Sequence, residues 1–499
     1  MVTTRHNSSY RKIVSSTAIF GSAQAFGVVI NLIRGKIVAM ILHSAGMGIM
    51  TLFNNAANTI QQFAILGMNI SAVRNISQAN DNKSDIILAK TIRIVRYLFA
   101  FASIFGLVLT LIASPLISQT SFGDFSYLPF FILLSLAVLL NILSTGEITI
   151  MQGLRRYKQL AFCSIIPPLC GLMLSVPIYY YWGTQGIVPA MIASGAVYYF
   201  VIRLHSYHSP RQDKGKGMKL KEIWSQGHEI IQLGFVLMIG NMVGAITTYC
   251  IMASISNMGS VSDVGFYQAA NAISIQYVSM IFTAMATDYY PRLSSTLKTD
   301  TAEAYLLVNQ QTEVVLLTIT PLVMLMMLTA PPLIDLLLTH EFQAIRHLIY
   351  CFALANIFKA LCFPMDYIGY AKGDKTFILW VETTWNNAKT FIVIVGSYYF
   401  FGLDGIGYGV LASAILDATV SIVFTHIRYR FTLSGQAVRL LAIMFLLALA
   451  CFIGAFTENT WVSYTIMSTT TTACIIYSLV QLNRRINLLA IIKRFKRKR

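Results

Sequence analysis

The apolar residues of this chain come in blocks of roughly 20, the length that a helix needs to cross about 30 Å of hydrocarbon. Examples are residues 97–118, 128–150, 314–330 and 440–456. Only 11% of the 499 residues are charged, whereas a soluble domain carries about 25%. Because so few charges cannot solvate a surface of this size, the sequence predicts an all-α integral membrane protein.

The placement of the basic residues argues for a membrane rather than for nucleic acid. The formal net charge is +17, and eight of the last 16 residues are basic. Most other cations lie in alternate gaps between the apolar blocks. Membrane proteins show this bias because Lys and Arg stay on the cytoplasmic side. We therefore expect no nucleic-acid partner.

The apolar blocks and the charges between them predict 14 transmembrane helices. These begin near residues 14, 47, 94, 128, 159, 185, 229, 262, 312, 346, 377, 405, 437 and 461. Odd-numbered gaps such as 183–186 and 254–263 lack Lys and Arg, with exceptions near Arg34, Lys36 and Arg346, whereas even-numbered gaps are basic. A miscounted helix would invert every later gap, so both termini are predicted to be cytoplasmic.

Several classes of function find no support in the sequence. The seven cysteines all lie inside apolar blocks, without the spacing of a disulfide framework or a metal site. No P-loop, HExxH or nucleophile-elbow motif is present, and the extracytoplasmic gaps are short. We expect neither a metal, nor another cofactor, nor enzymatic activity. No removable signal peptide is expected, since no small-residue cleavage site follows the first apolar stretch.

An internal repeat in the sequence divides the predicted helices into two lobes. GTQGIVPAMIAS, which starts at Gly183, matches GLDGIGYGVLAS, which starts at Gly402, at an offset of 219 residues. Two lobes in the same orientation are related by an axis along the membrane normal, and transporters place their substrate between such lobes. Because Gly and Ala are common in membrane helices, a chance match is the alternative.

The repeat and the longest polar connection define five segments. These are an N-lobe of helices 1–6 at 1–203, a cytoplasmic linker at 204–227, a C-lobe of helices 7–12 at 228–430, helices 13 and 14 at 431–482 and a basic cytoplasmic tail at 483–499. The linker sequence HSYHSPRQDKGKGMK is expected to be flexible.

Five motifs occur in a fixed order along the chain. They are INLIRGKIVAMILHSAGMGI (30–49), ILSTGEITIMQGLRRYKQLA (142–161), VGFYQAANAIS (264–274), AMATDYYPRLS (284–294) and AKGDKTFILWVE (371–382). In this order they resemble the polysaccharide transporter branch of the MOP exporter superfamily, the Wzx-type flippases of O-antigen and related repeat units. The resemblance covers about residues 12–430. It implies a V-shaped bundle in a bacterial inner membrane, which alternates between inward- and outward-open states.

The resemblance also implies a substrate and its partners. The substrate would be an undecaprenyl-pyrophosphate-linked oligosaccharide, flipped from the cytoplasmic to the outer leaflet. Membrane lipids and polysaccharide polymerase machinery would be further partners. The alternative within transporters is a multidrug and toxin extruder of the same superfamily. A membrane-embedded glycosyltransferase or a scaffold without transport activity are the alternatives of another class.

Arg34 is the first intramembrane charge along the chain. A charge at mid-bilayer costs about 2.5–3.5 kcal/mol, so each one points to a function. The segment around Arg34 also resembles the first helix of the related lipid II flippase, where an arginine at the matching position lines the central cavity. This implies that Arg34 binds the pyrophosphate, which a guanidinium contacts bidentately. The alternative is that Arg34 reaches the outer headgroups.

The predicted tenth and eleventh helices carry four charges in a symmetric pattern. Lys359 and Asp366 are seven residues apart, as are Glu382 and Lys389, so each pair lies near one helix face. In an antiparallel hairpin centred on residue 374, the lysines lie at similar depth and the carboxylates about 10 Å nearer the cytoplasm. We expect the lysines to bind an anionic headgroup and the carboxylates to serve coupling or gating. The alternative is that all four only brace the bundle.

Two other carboxylates and several amides complete the candidate set. Glu147 and Asp417 are candidates for coupling to H⁺ or Na⁺, or for structural pairing with Lys359 or Lys389. Amides suit sugar hydroxyls at the wall of a wet cavity, although they also join helices. The substrate-binding candidates among them are Asn55, Gln62, Asn271 and Gln276.

Overall fold

A computed structural model describes the backbone of residues 2–81, 84–206, 220–457 and 459–486. Every regular element in these ranges is helical, which confirms the all-α prediction. The α-helices are α1 (Val2–Ile65), α2 (Met68–Asp81), α3 (Asp85–Phe122), α4 (Leu128–Gly153), α5 (Tyr157–Trp182), α6 (Ile187–Ser206), α7 (Leu220–Met258), α8 (Val261–Thr299), α9 (Thr301–Leu337), α10 (Arg346–Lys372), α11 (Asn386–Tyr429), α12 (Gly435–Ala455) and α13 (Thr460–Ile486). Two 3-10 turns (Gly183–Gly186 and His340–Ile345) and one π-helix (Phe377–Trp385) complete them.

Nine stretches of the described chain are long and apolar enough to cross a membrane, as expected of a multi-pass membrane protein. Three of them, Ile30–Ile65, Lys158–Ser206 and Phe377–Tyr429, each contain a break and therefore hold two helical arms. The count of 14 spans and the cytoplasmic position of both termini stay predictions.

The three breaks each occur at a residue with positive φ. These are His43 (φ 57°, ψ −169°), Gly183 (φ 55°, ψ −135°) and Gly402 (φ 60°, ψ −140°). Glycine adopts such a conformation without the steric cost of a Cβ, whereas it is uncommon for histidine. After Gly183 the chain reverses, because α5 and α6 pack against each other.

The backbone repeats at the offset seen in the sequence. Gly183 and Gly402 adopt nearly the same φ and ψ. Three residues later, a Cβ at Gly186 would clash with the carbonyl oxygen of Ile178. A Cβ at Gly405 would clash with that of Ser397, which lies 219 residues after Ile178. A chance match in composition does not explain these shared contacts, so the repeat is a structural one.

Some helices begin well before their apolar blocks. α3 starts at Asp85 and α9 at Thr301, against predicted starts near 94 and 312. Both carry an acidic residue in the first turn, which the helix dipole favours. The Asp300 carboxylate also accepts a hydrogen bond from the Ala302 amide (2.7 Å), as N-cap residues do. Both helices therefore begin before their apolar blocks, and in α3 the added turns contain Lys90, Arg93 and Arg96.

The described helices group into two compact units. The first unit comprises the described residues up to Gly265 and Leu337–Thr339, and the second comprises Phe266–Leu336 and the described residues from His340 onwards. Helix α7 packs on α1, α2 and α3 in the first unit, although the repeat assigns it to the C-lobe. The five segment boundaries stay predictions. Residues 207–219 of the linker and 487–499 of the tail lie outside the described residues.

An aromatic cluster positions the second arm of α1 in the first unit. The Phe53 ring is 1% exposed and its centroid lies 4.8 Å from that of Phe131 in α4. Phe122 stacks on Tyr127 beside it, with a centroid distance of 3.9 Å. Residues two, five and nine positions after Phe53 lie on the opposite side of the helix. The packing of Phe53 therefore turns the amides of α1 away from the core.

Candidate substrate-binding and coupling sites

A polar groove runs between the second arm of α1 and α7 in the first unit. It encloses about 350 Å³. Its lining residues are Asn55, Asn58, Thr59, Gln61, Gln62, Gly244, Ala245 and Thr248. The predicted cavity residues Asn55 and Gln62 thus line one groove, while Thr248 and its neighbours on α7 were not predicted. The lining residues of α7 are small and uncharged, so no intramembrane charge marked them in the sequence.

The amides of this groove join helices and leave one polar atom unpaired. Asn55 donates a hydrogen bond to the Thr51 carbonyl oxygen (2.9 Å), and Gln61 donates to the Thr145 hydroxyl of α4 (3.1 Å). The Oε1 atom of Gln62 is buried and has no hydrogen-bond partner among the described residues. A buried acceptor without a donor costs about 1–3 kcal/mol, so the groove favours a ligand that brings O–H donors.

A cluster of five charges lies on α10, the π-helix and α11 in the second unit. Lys389 is 2% exposed and forms an ion pair with Asp417. Its Nζ also donates to the Ser413 carbonyl oxygen (3.2 Å) and to Oδ1 of Asn386 (3.4 Å). The charge of Lys389 is therefore neutralised within the unit.

Lys359 differs from Lys389 in its surroundings. Its side chain is exposed and donates no hydrogen bond to a described residue, although its charge interacts with those of Asp417 and Lys389. Of the two predicted cations, Lys359 is the one that a ligand can reach.

The carboxylates of the cluster lie close together. Asp366 accepts a hydrogen bond from the Ser421 hydroxyl (2.8 Å), and Glu382 lies near the Tyr370 hydroxyl. The charges of Asp366 and Glu382 interact with each other and with that of Asp417. The structure thus brings together the four charges of the predicted hairpin and adds Asp417 to them.

Glu382 lies in the π-helix, which the sequence did not reveal. The hydroxyls of Thr383 and Thr384 donate to carbonyl oxygens five residues earlier, each at 2.8 Å. π-Helical turns are rare and occur frequently at functional sites. The segment FILWVETTW has the apolar pattern of an α-helix, so no sequence signal separated the two forms.

Glu147 lies in the first unit and has partners other than the predicted lysines. Arg96 of α3 binds its two oxygens, with Nε–Oε1 at 3.1 Å and Nη2–Oε2 at 3.2 Å. Arg203 and Ser206 of α6 also bind it. The sequence placed both arginines in cytoplasmic gaps, because α3 begins before its apolar block and α6 continues past its own.

Three predicted residues lie apart from these clusters. Arg34 is half-buried in the first arm of α1, and its Nε has no hydrogen-bond partner among the described residues. Asn271 is half-buried in α8. The side chain of Gln276 lies outside the described part of the structure. The roles of all three stay predictions.

Apolar helices with interior charges and a polar groove define a membrane transporter fold, and solved structures show the same fold. The lipid II flippase MurJ in an inward closed conformation matches with a TM-score of 0.68 at 14% identity, over 94% of this chain and 99% of that one. An inward-facing multidrug resistance MATE transporter of the MOP superfamily matches with a TM-score of 0.63 at 16% identity, over 83% of this chain and 98% of that one. The fold is therefore that of MOP-type transporters.

The family follows from the sequence itself. A family profile described as "Polysaccharide biosynthesis protein" matches residues 37–347, more than half of the chain, and the chain belongs to this family. The lipid III flippases of Escherichia coli (strain K12) and of Shigella flexneri are each 23% identical to it over 369 residues. Each match covers 71% of this chain and 84% of the relative. The predicted membership in the polysaccharide branch of the MOP superfamily is confirmed, and the fold and relatives are those of a transporter rather than of an enzyme.

Proposed function

We propose that this protein flips a lipid-linked oligosaccharide from the cytoplasmic to the outer leaflet of a bacterial inner membrane by alternating access. The observation that carries the proposal is the match to a lipid III flippase over 84% of that protein, within a family of polysaccharide biosynthesis. The MurJ-like fold supports it. An undecaprenyl pyrophosphate carrier follows from the family resemblance.

The two polar sites have different roles in this proposal. Lys359 binds the pyrophosphate, since it is the exposed one of the two lysines in the charge cluster, whereas Lys389 forms an ion pair with Asp417. Arg34 is a second pyrophosphate ligand, because part of its guanidinium is buried without a partner. The amides of the groove in the first unit bind sugar hydroxyls, for which Gln62 has an unused acceptor.

Asp366, Glu382 and Asp417 are the proposed coupling groups. Three interacting carboxylates share one cluster with two lysines, so binding of H⁺ or Na⁺ would relieve the mutual repulsion of the carboxylates. Glu147 is not assigned to coupling, because two arginines and Ser206 hold its oxygens. No other cofactor is needed, and polysaccharide polymerase machinery would receive the product.

Depletion of the protein in its native host tests the function. Lipid-linked repeat units should accumulate on the cytoplasmic face, and wild-type protein should clear them. Lys359→Met should fail to do so, whereas Lys375→Met should succeed because Lys375 is an exposed cation of the α10–π-helix turn. Drug hypersensitivity with normal surface glycan would instead indicate a multidrug extruder, the activity of the MATE neighbour.

The proposed topology has its own test. Fusions of green fluorescent protein to either terminus should fluoresce, because both termini are proposed to be cytoplasmic, where this reporter folds. Fusions of alkaline phosphatase at the same positions should be inactive. The reverse pattern at either terminus would contradict the proposed orientation.

A further inference from the structure

A second charged pocket lies in the first unit, outside the proposed substrate and coupling sites. It encloses about 310 Å³ between α3, α4 and α6. The residues that matter here are Arg93, Arg96, Tyr97, Glu147, Tyr199 and Arg203. A Cβ at Gly146, on the pocket floor, would lie 2.7 Å from the Phe99 ring, so this glycine lets α3 and α4 approach closely.

The pocket remains cationic although it contains a carboxylate. Three arginines and one glutamate line it, which leaves two net positive charges. The Glu147 side chain is only 7% exposed, whereas those of Arg96 and Arg203 are 33% and 37% exposed. The carboxylate therefore lies below the arginines, and the accessible surface of the pocket is positive.

The pocket opens onto an apolar face. The exposed apolar side chains of α3 include Tyr97, Phe101, Ile104, Val108 and Ile112, which are spaced three or four residues apart and so share one side of the helix. On α6, exposed Phe200 and Leu204 directly follow the lining residues Tyr199 and Arg203.

The arginines lie where this apolar face ends. The apolar block of α3 begins at Tyr97, so Arg93 and Arg96 lie at the level where hydrocarbon meets headgroups. Cations at this level, next to an apolar helix face, are suited to a molecule with a phosphate and long acyl chains.

We infer that this pocket binds an anionic glycerophospholipid from the leaflet that the loop charges assign to the cytoplasm. The phosphate contacts Arg93, Arg96 and Arg203, and an acyl chain lies along the exposed face of α3. A guanidinium fork matches a phosphate in geometry as well as in charge. The pocket is at the small end of ligand sites, about 300–1,000 Å³, which is enough for a phospholipid headgroup. The bound lipid would join α3, α4 and α6 and stabilise the first unit.

Native mass spectrometry of the purified full-length protein tests this inference, with dioleoyl phosphatidylglycerol and dioleoyl phosphatidylcholine offered in equal amounts. The first lipid retained by the wild type should be phosphatidylglycerol. Arg93→Gln and Arg203→Gln should each lower this preference about fivefold, the usual contribution of one cation near a membrane surface. Arg155→Gln is the matched control, since the loop charges assign Arg155 to the same side of the membrane but Arg155 does not line the pocket.

A conservative variant and a thermal-stability measurement keep the inference testable if a glutamine variant folds poorly. Arg203→Lys keeps the charge and should retain most of the preference, and phosphatidylglycerol should raise the Tm of the wild type more than that of Arg93→Gln. Equal retention of both lipids, or an equal loss in Arg155→Gln, would overturn the inference. Displacement of phosphatidylglycerol by undecaprenyl phosphate would assign the pocket to the substrate instead. Because these readouts measure binding and not transport, they are independent of the proposed function.

Discussion

Lys359 and Lys389 have the same chemistry but differ in surface exposure and in ion pairing. Lys389 is buried against Asp417, whereas Lys359 is exposed. Removing one partner of a buried ion pair leaves an uncompensated charge, which typically costs about 3 kcal/mol or more. An exposed cation can be removed without such a cost, so the two lysines should respond differently to the same substitution.

We therefore predict that Lys359→Met abolishes transport with an unchanged Tm, whereas Lys389→Met lowers the Tm. The double variant Lys389→Met/Asp417→Asn should recover much of the lost stability, because no charge is then left alone. Thermal unfolding in detergent and a flipping assay measure the two effects. A Tm for Lys389→Met equal to that of the wild type would contradict the structural role of the pair.

At the scale of elements, single glycines determine where apolar stretches turn back. Gly402 has φ +60°, and no atom lies within 4 Å of a Cβ built on it. Any effect of a side chain there comes from backbone strain alone, which is about 1–2 kcal/mol for a left-handed residue. Gly396 lies in the preceding arm, also with open space around its Cβ position but without a positive φ.

Gly402→Ala should therefore destabilise the protein by about 1 kcal/mol or more. Gly396→Ala should be neutral or stabilising, because alanine is preferred in a helix by about 1 kcal/mol. Gly183→Ala should resemble Gly402→Ala, since the repeat gives both glycines the same conformation. Thermal unfolding of the three variants measures this, and equal Tm values for Gly402→Ala and Gly396→Ala would argue against strain at the break.

Asp374 joins the turn after α10 to the end of α11. Its Oδ2 accepts hydrogen bonds from Arg428 (3.1 Å) and Tyr429 (3.0 Å), and its Oδ1 accepts from the Thr376 amide (3.0 Å). Burial alone would raise the pKa of Asp374, but the hydrogen bonds from Arg428, Tyr429 and the backbone amides outweigh burial and hold the pKa below its ordinary value of 3.8. The ionised form is therefore favoured in the folded protein.

A carboxyl group with a lowered pKa stabilises the fold above its ordinary pKa, and this contribution is lost as the pH falls through the folded pKa. Asp374→Asn should therefore lower the Tm at pH 7, and its difference from wild type should shrink as the pH falls below about 4. Asp335→Asn is a control at an aspartate whose side chain is exposed. A Tm difference that does not change with pH would contradict this account.

At the scale of the whole molecule, the proposed carboxylate coupling predicts a dependence on an ion gradient. Flipping in membrane vesicles should stop when the gradient of the coupling ion is removed. Inhibition by a protonophore would identify H⁺ as that ion, and inhibition by a sodium ionophore would identify Na⁺. Asp366→Asn should reduce the response to the gradient, because Asp366 interacts with both other carboxylates of the cluster. Transport that neither ionophore changes would exclude coupling by these groups.

The sequence by itself determined the class of the protein. Apolar length, charge asymmetry and paired glycines are encoded locally, and the bilayer demands the same apolar helix wherever the chain crosses it. The all-α fold was therefore predictable from the residues alone, as was the hairpin that brings Lys359, Asp366, Glu382 and Lys389 together, whereas the family was implied by the resemblance of five motifs. Symmetry about residue 374 was a sufficient signal for that hairpin.

Only the tertiary structure decided which charges pair and which remain accessible. Glu147 binds Arg96 and Arg203, which lie 51 and 56 residues away, and Lys389 pairs with Asp417 on the other arm of α11. Such pairs depend on how distant helix faces are rotated towards each other, and composition or spacing within one helix carries no information on that rotation. For the same reason, the cationic pocket of α3, α4 and α6 was hidden in the sequence, where its arginines resembled ordinary cytoplasmic charges.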